Sequence, residues 1–585
     1  MNFRKFLLIN ILLTSFSLSY ASDILNPIVI SSSISPIDIH SSPSSIEVLT
    51  ASDIKEKGFT DISELLGSIS SINISTTGGI GQSTSIFMRG TESNHTKIIL
   101  DGVELNPGTL GLAPIQNIAI NSIEKIEIIK GSSSALYGAN TIGGIINISS
   151  KKDKNFISIS TGSWSTNSTS LIHGIDKNGF KININANRNE SKSIPTKINS
   201  SKRHSYNTNN IALNISKDIK NYVLTSRFYS STGNTQYDNF GSNINQEHDD
   251  YFYTFGLKRY VVDDVFEIIY KKSQNRIIQK APAATDFTDT LRDIYEMSYT
   301  KVDANIVQKF GFSYTKEHMS ELSYGTRHTA FPNIKEIFYQ RELSDTDYLI
   351  NYGARHINHS QFGDFMTGNF GLSLLYSDDV YSFNIARSLR APDSTDLYGY
   401  GGIPTLMPEE SLAMEVGFKR YINSNTFIRA TAFKTTIKNL IEADFNSVLY
   451  TAESKITGLE LRYQSILHPF KYDIGYTYMV PEDVKNNQPL SKRSKHKIHT
   501  NIAYTVDRDK TMNLNLIVED KRKATPYFDI DLGSYFIVNL NYLYKIDNSS
   551  VSLGMKNLLD RSYRTSHNFN TLDRSVFVTY SYNYW

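Results

Sequence analysis

The chain has 585 residues, of which 39% are hydrophobic, 12% aromatic and 20% charged, and its formal net charge is +2 at pH 7. A charge so close to neutral gives no reason to expect a nucleic-acid partner, because such binding draws on a strongly basic surface. Cysteine is absent, and the sequence shows neither metal-ligand histidine spacing nor a serine-centred elbow, so disulfides and thiolate chemistry are excluded and no enzyme is predicted.

The amino-terminal segment 1–21 has the layout of a secretory signal peptide. Arg4 and Lys5 precede an apolar stretch at 6–18, and cleavage is expected after Ala21. Residues 22–45 are rich in serine, proline and isoleucine and are predicted to form a flexible arm. No later stretch approaches the roughly 20 apolar residues of a transmembrane helix, so any membrane span must be a β-barrel.

Residues 46–150 have the texture of a small α/β domain. The pattern predicts a strand at 46–49, a helix at 52–57 and a second helix that begins near Asp61. A compact domain of about 100 residues is an ordinary size. This segment is therefore predicted to fold as one unit.

The remaining residues, 151–585, repeat a different pattern. Segments such as 180–186 and 427–434 alternate apolar and polar side chains between clusters of asparagine, aspartate, glycine and serine. At about ten residues per strand plus connections, this length accommodates on the order of 22 strands, and a lumen of that size needs a plug. The predicted fold class is a membrane β-barrel of about 22 antiparallel strands with the α/β domain as a plug in its lumen.

Ordered blocks along the chain resemble the TonB-dependent receptors of outer membranes. The blocks that resemble the plug of that family are residues 78–90, 98–106, 123–131 and 135–148. Those that resemble its barrel motifs are residues 389–392, 397–400, 404–409, 455–460 and 555–563. Single glycines and the Asp101-Gly102 turn would be plain structural features, so the resemblance rests on the order of the blocks.

The resemblance implies localisation in the outer membrane, contact with its lipid, and energy supplied by TonB. A β-branched run in the arm is suited to adding as an edge strand to a partner. The resemblance identifies this run as the TonB box, which consists of Pro27, Ile28, Val29, Ile30, Ser31 and Ser32. A passive porin or an adhesin is a less favoured alternative, because neither needs the plug blocks at 78–148.

Within the family, the plug blocks look most similar to those of cobalamin receptors, which implies a corrinoid as the small-molecule ligand. By analogy, two apical plug loops contact it, through Thr77, Gly79, Ile80, Gln82, Gly108, Thr109, Leu110 and Leu112. Haem and a ferric siderophore are the alternative ligands. Segment 391–408 lacks the histidine that haem receptors tend to carry, which disfavours haem. Tyrosine also ligates haem iron, so haem stays an alternative. His95 is interpreted as a structural residue.

Calcium is a further candidate, because the cobalamin receptors order extracellular loops with this ion. The corresponding loop contains Asp238, Glu247, Asp249 and Asp250, and clustered carboxylates suit the roughly six to eight oxygen ligands of calcium. The next loop, 273–275, lacks the aspartates that the resemblance leads one to expect. A solvated acidic loop is therefore the alternative, and no other cofactor is predicted.

Four charged residues are predicted to join the plug to the barrel. Arg89 and Lys130 each precede a glycine in the plug blocks, and the family places basic residues there against two barrel glutamates, which Glu415 and Glu460 match. We expect Arg89 to lie within about 4 Å of at least one glutamate. Lys130 makes the weaker case, because an ammonium cannot form a bidentate fork. The alternative is four solvated lumen charges.

Overall fold

The computed structural model describes residues 28–29, 37–39, 41–152, 155–281, 284–323, 325–443, 449–525 and 530–584. The predicted signal peptide lies outside the described residues, as do Pro27, Ile30, Ser31 and Ser32 of the predicted TonB box. The rest of that box forms β1 (Ile28–Val29), which pairs antiparallel with β2 (Ile37–Asp38). No helix in the described part of the chain is both long enough and apolar enough to cross a bilayer.

The plug combines a five-stranded sheet, a separate hairpin and short helices. Its elements are β3 (Ile46–Thr50), α1 (Ala51–Lys57), α2 (Ile62–Gly67), β4 (Ile72–Thr76), β5 (Thr84–Met88), β6 (Thr96–Leu100), β7 (Val103–Glu104), β8 (Ile123–Lys130), α3 (Ser134–Tyr137) and β9 (Gly144–Ser150). The sheet has the order β3-β8-β9-β6-β7, and β4 pairs with β5. The strand predicted at 46–49 and the helix predicted at 52–57 are confirmed.

Local sequence explains where the first plug helix starts and stops. Thr50 accepts a hydrogen bond from the backbone of Asp53, and the Asp53 side chain accepts one from the backbone of Thr50, which completes a capping box. Gly58 ends α1 with a left-handed backbone, φ +68°, which glycine adopts without strain. The sheet buries an isoleucine-rich face, including Ile126 and Ile146, and this face forms the plug core.

Among the described residues, 22 strands form the closed antiparallel barrel, which confirms the predicted fold. Short strands β19 and β28 extend its rim, and β31 pairs with β32 in one connection. The elements are β10 (Phe156–Gly162), β11 (Thr166–Lys177), β12 (Phe180–Ser191), β13 (Tyr206–Ile219), β14 (Tyr222–Asn239), β15 (Ser242–Val261), β16 (Asp264–Lys280), β17 (Thr285–Asp303), β18 (Ile306–Ser323), β19 (Thr326–Ala330), β20 (Asn333–Ser344), β21 (Tyr348–His359), β22 (Gly363–Tyr376), β23 (Asp379–Arg390), α4 (Ser394–Tyr398), β24 (Glu409–Asn423), β25 (Thr426–Ala443), β26 (Leu449–Leu467), β27 (Phe470–Asp483), β28 (Gln488–Pro489), β29 (His496–Thr505), β30 (Lys510–Glu519), β31 (Arg522–Lys523), β32 (Asp531–Leu532), β33 (Tyr535–Ile546), β34 (Ser549–Lys556) and β35 (Ser575–Asn583).

The lengths of the connections orient the barrel. At one end strands join through short turns such as 178–179 and 220–221, whereas the other end carries longer connections such as 192–205, 391–408 and 557–574. Outer-membrane barrels have short periplasmic turns and longer extracellular loops. The end with the long connections is therefore the extracellular end.

The strands alternate between a lumen face and a lipid face. On β12, Asn183, Asn185 and Asn187 are buried against the lumen, whereas Ile184 between them is 44% exposed on the outside. This is the period of two that a β-strand imposes on its side chains. It explains how a barrel with mildly polar strands presents an apolar band to lipid.

Candidate functional site

The first predicted ligand-binding loop, 77–82, lies at the extracellular side of the plug, against β13. Gly81 has φ +81°, and a Cβ there would overlap the ring of Tyr206. The Gln82 side chain is buried and donates a hydrogen bond of 2.8 Å from Nε2 to the carbonyl oxygen of Gln236 in the barrel. Gln82 therefore anchors the loop to the barrel, and it also lines the cavity that lies beside this loop.

A large cavity, which we call the apical cavity, lies between this loop and the barrel wall. The empty space there, which is open to solvent, is about 1720 Å³, and its lining combines the plug segments 59–61, 63–64 and 78–82 with strands β10, β30, β33 and β35. Neutral serine, threonine and asparagine side chains dominate the wall, together with Tyr206, Tyr535 and Tyr563. The predicted residues Gly79, Ile80 and Gln82 line it, and Thr77 is half-buried beside them.

Charged groups at the plug side of the apical cavity are largely paired. Glu64 Oε2 lies 2.8 Å from Lys556 Nζ, and Asp61 caps the amino end of α2. Burial raises the pKa of the Asp61 carboxyl and of the Glu64 carboxyl above their ordinary values, and the nearby Lys556 ammonium opposes that rise. The cavity thus offers mainly hydrogen-bonding groups and aromatic faces.

The second predicted ligand-binding loop, 107–112, lies beneath the extracellular connection 391–408, which we call the lid. Ser394 N donates to the carbonyl oxygen of Gly108 and Thr395 N to that of Thr109, both at 2.9 Å. Thr109 is fully buried, and its hydroxyl lies 3.0 Å from that of Thr290. Thr109 is therefore not open to a ligand, which corrects its assignment. The half-buried residues of this loop are Gly108, Leu110 and Leu112.

The structure brings Arg89 together with both glutamates proposed from sequence. Arg89 Nη1 lies 2.6 Å from Glu415 Oε2, while Nε and Nη2 form a fork with the Glu460 carboxylate at 2.8 and 3.1 Å. All three side chains are less than 8% exposed. Burial lowers the pKa of Arg89, but Glu460 and Glu415 outweigh it and hold that pKa above its ordinary value.

Lys130 occupies the other side of the same network. Its Nζ lies 2.5 Å from Glu47 Oε1 and 3.3 Å from Glu460 Oε2. Glu47 also faces Arg462 at 3.5 Å. Burial raises the pKa of Glu47, yet Lys130 and Arg462 together bring it below its ordinary value. Sequence reasoning missed Glu47 and Arg462, because neither stands near its partners in the chain.

A second buried polar cluster lies at the base of the lid. His95 is fully buried, with Nδ1 accepting from Glu92 N at 3.2 Å and Nε2 3.0 Å from Glu409 Oε2. The imidazole is thus placed as a Nε2–H tautomer that donates to the carboxylate. Glu409 also pairs with Arg390, and the Arg390 guanidinium reaches Asp396 at 2.7 Å. His95 therefore has a structural partner, as the sequence interpretation expected, and Arg390 and Glu409 belong to the barrel blocks 389–392 and 404–409.

The four acidic residues of the predicted calcium site are not brought together, which corrects that assignment. Glu247 pairs with Lys280, Asp238 lies 3.6 Å from Lys197, and Asp250 accepts from Asn275. Successive side chains of a strand point to opposite faces, so Asp249 and Asp250 in β15 diverge. Within the described ranges, no group of three or more histidine or acidic side chains is placed to hold a metal.

Comparison with known families supports the architecture over most of the chain. Residues 38–145 match the TonB-dependent Receptor Plug Domain, and residues 140–558 match the TonB dependent receptor-like β-barrel. The chain is 23% identical over 563 residues to the vitamin B12 transporter BtuB of Vibrio vulnificus (strain YJ016), with 89% of each chain covered.

Solved structures show the same fold at lower identity. The siderophore receptor PirA of Acinetobacter baumannii is 16% identical, with a TM-score of 0.79 over 93% of this chain and 99% of its own. The FrpB iron transporter of Neisseria meningitidis is 13% identical, with a TM-score of 0.79 over 93% and 100%. Because the barrel family match spans more than half of the residues and follows directly on the plug match, the chain belongs to the TonB-dependent receptors, transporters of the outer membrane.

Proposed function

We propose that this receptor takes up a corrinoid, such as cobalamin, across the outer membrane. The observation that carries the proposal is the similarity to a vitamin B12 transporter along 89% of both chains. The solved relatives named for siderophores or iron are 13 to 17% identical. At this identity they support the fold and give no information about the ligand.

The lining of the apical cavity supports a ligand with many neutral polar groups. Its serine, threonine and asparagine side chains match the carboxamides of a corrinoid, and its tyrosines match the broad apolar faces of the ring. Among the described residues that line it, none is a histidine, which disfavours axial ligation of haem iron by imidazole.

Transport is proposed to depend on TonB through residues 27–32. An outer membrane has no nucleotide supply, so inward movement of a scarce ligand needs work from the inner membrane. The β-branched residues of β1 already adopt an extended conformation, paired with β2. That geometry supports strand addition to a partner. A TonB strand would pair with β1 either in place of β2 or along the edge of β1 opposite β2.

Equilibrium binding to the purified receptor tests the ligand. Cyanocobalamin, haem and a ferric catecholate siderophore are titrated separately, and we expect cyanocobalamin to bind at least about 100-fold more tightly than either competitor, a difference of about 2.7 kcal/mol. A tighter haem or siderophore complex refutes the corrinoid assignment and identifies the alternative. Conductance of the receptor in planar bilayers distinguishes a plugged transporter, which stays closed, from an open porin.

A further inference from the structure

A further cavity opens at the periplasmic end of the barrel, between the first strand of the plug and the wall formed by β23 to β27. We call it the periplasmic cavity. The short turn at 424–425 lies at its mouth, and Ser45 and Ile46 of the plug form part of its lining. The empty space there is open to solvent and measures about 1430 Å³. A small ion can therefore enter it while the plug stays seated.

Three basic residues stand side by side on the lumen face of this wall. Lys419 of β24 is the register partner of Arg429 of β25, which is in turn the partner of Arg462 of β26. All three line the periplasmic cavity. Directly opposed side chains lie roughly 4.5 to 5.5 Å apart at Cβ, and like charges in such positions destabilise a sheet. The row is therefore stabilised by any negative charge that is brought against it.

The carboxylates around this row are already engaged in ion pairs. The pairs are Asp473 with Arg462 at 2.9 Å, Glu47 with Lys130 at 2.5 Å, Glu415 with Arg89 at 2.6 Å and Asp53 with Lys471 at 3.2 Å. In the described lining of the cavity, Asp53 and Glu415 are the two carboxylates, and they stand against four basic side chains. The lining thus carries an excess of positive charge.

Arg429 is the member of the row that lacks a carboxylate partner. Within the described ranges, no aspartate or glutamate oxygen lies within 4.0 Å of its guanidinium nitrogens, and its hydrogen bond is from Nη1 to the carbonyl oxygen of Ile46 at 3.1 Å. A guanidinium has five N–H donors in a planar fork. Arg429 therefore retains donors and a full positive charge for an anion in the cavity.

Two further donors stand beside Arg429. The Lys419 ammonium lies 4.5 Å from the centre of the Tyr421 ring, which holds it on the same wall. The Ser45 hydroxyl is buried and has no hydrogen-bond partner among the described residues, and Ser45 directly precedes Ile46, the residue that Arg429 contacts. A buried hydroxyl without a partner is costly, so an occupant that offers acceptor oxygens is favoured.

We propose that the periplasmic cavity is an anion-binding site that takes a phosphate group, free or esterified, through Arg429, Lys419 and the Ser45 hydroxyl. A guanidinium binds two phosphate oxygens at once, and an ammonium adds a point charge. A phosphate monoester carries about −1.5 to −2 charges at pH 7, which offsets the excess of the lining. This inference goes beyond the proposed function, because it does not depend on which ligand the receptor carries.

The bound phosphate also affects how the plug is held. Arg429 contacts the carbonyl oxygen of Ile46 in β3, and Ser45 stands next to it in the chain. A phosphate between Arg429 and Ser45 therefore joins the first plug strand to the barrel wall. Because a ligand stabilises the state that binds it, phosphate should make the seated plug harder to release.

Equilibrium dialysis of the purified receptor against radiolabelled orthophosphate tests the site, with chloride keeping the ionic strength constant. We expect saturable binding to the wild type, weakened at least about tenfold in Arg429→Gln. Arg429→Lys, which keeps the charge and loses the fork, should bind with an affinity between the two. The matched control is Arg420→Gln. Arg420 follows Lys419 in β24 but is 58% exposed on the outer face, paired with Asp379, so its loss should leave phosphate binding unchanged.

Glycerol 3-phosphate distinguishes the two sources of phosphate. Displacement of orthophosphate by this ester shows that an esterified group fits, and binding of orthophosphate without displacement restricts the site to the free ion. Phosphate should also raise the urea midpoint for proteolysis of the plug in the wild type and in Arg420→Gln, and leave it unchanged in Arg429→Gln. Absence of saturable binding to the wild type, or equal binding by Arg429→Gln, overturns the proposal.

Discussion

Removal of Arg89 is expected to release the plug from the barrel wall. In Arg89→Ala, Glu460 is still paired with Lys130 at 3.3 Å, but among the described residues the remaining hydrogen-bond contact of Glu415 is the Ser45 backbone N–H at 2.9 Å. A buried charge left without its counterion costs on the order of 3 to 5 kcal/mol. We therefore expect Arg89→Ala to reduce the free energy that holds the plug in place by about this amount.

The matched control is Arg188→Ala, which breaks an ion pair of 3.0 Å to Glu190 between side chains that are 62% and 42% exposed. Exposed pairs are worth under about 1 kcal/mol, so this variant should behave like the wild type. Protease susceptibility of the plug against urea concentration, in detergent-solubilised receptor, measures both. Indistinguishable urea midpoints for the two variants would refute the argument that burial makes this network strong.

The same reasoning predicts a rescue. Replacing all three groups, in Arg89→Met with Glu415→Gln and Glu460→Gln, removes the uncompensated charges, and it should recover more than half of the lost stability. A triple variant less stable than Arg89→Ala would show that packing, and not charge, accounts for the loss.

Three further predictions concern transport and the ligand. Ile28→Pro or Val29→Pro should leave cyanocobalamin binding unchanged and abolish its uptake, because proline removes a strand donor, and radiolabelled uptake in whole cells measures this. Gly81→Ala should weaken binding at least about tenfold, since φ is +81° and Tyr206 occupies the Cβ position. Calorimetric titration with cyanocobalamin compares this variant with Gly241→Ala, because a Cβ added at Gly241 would have no atom of the described residues within 4 Å. Deletion of the gene should prevent growth on limiting cobalamin and leave growth on haem or ferric siderophores unaffected, so the opposite phenotype would exclude the corrinoid.

The fold was accessible from sequence because its signals are periodic or local. Alternation along strands such as β12 follows from which side of the sheet faces lipid, and the capping box of Thr50 and Asp53 lies within four residues. Arg89 and Glu460 were found together only because each stands in a recognisable block. Glu47 and Arg462, which join the same network through Lys130, carry no such signal, since their pairing depends on how the plug is seated in the barrel.

The site was less accessible because loop side chains turn toward whatever encloses them. Thr109 looks like a ligand-binding residue when its loop is considered alone, yet it is fully buried with its hydroxyl against that of Thr290 in the barrel wall. The acidic run ending in Asp249 and Asp250 looks like one cluster in sequence, but strand geometry sends the two carboxylates to opposite faces. Such choices depend on tertiary neighbours that no local pattern specifies.

The ion pair between Arg390 and Glu409 has a consequence for engineering the receptor. These residues are the last of β23 and the first of β24, and they face each other in the strand register. The ends of the intervening segment are therefore fixed by a clasp that does not depend on what lies between them, and the entropy of closing a loop grows only slowly with its length. Residues 399–407 are accordingly a favourable place to graft an epitope or a foreign recognition loop while the barrel closes as before.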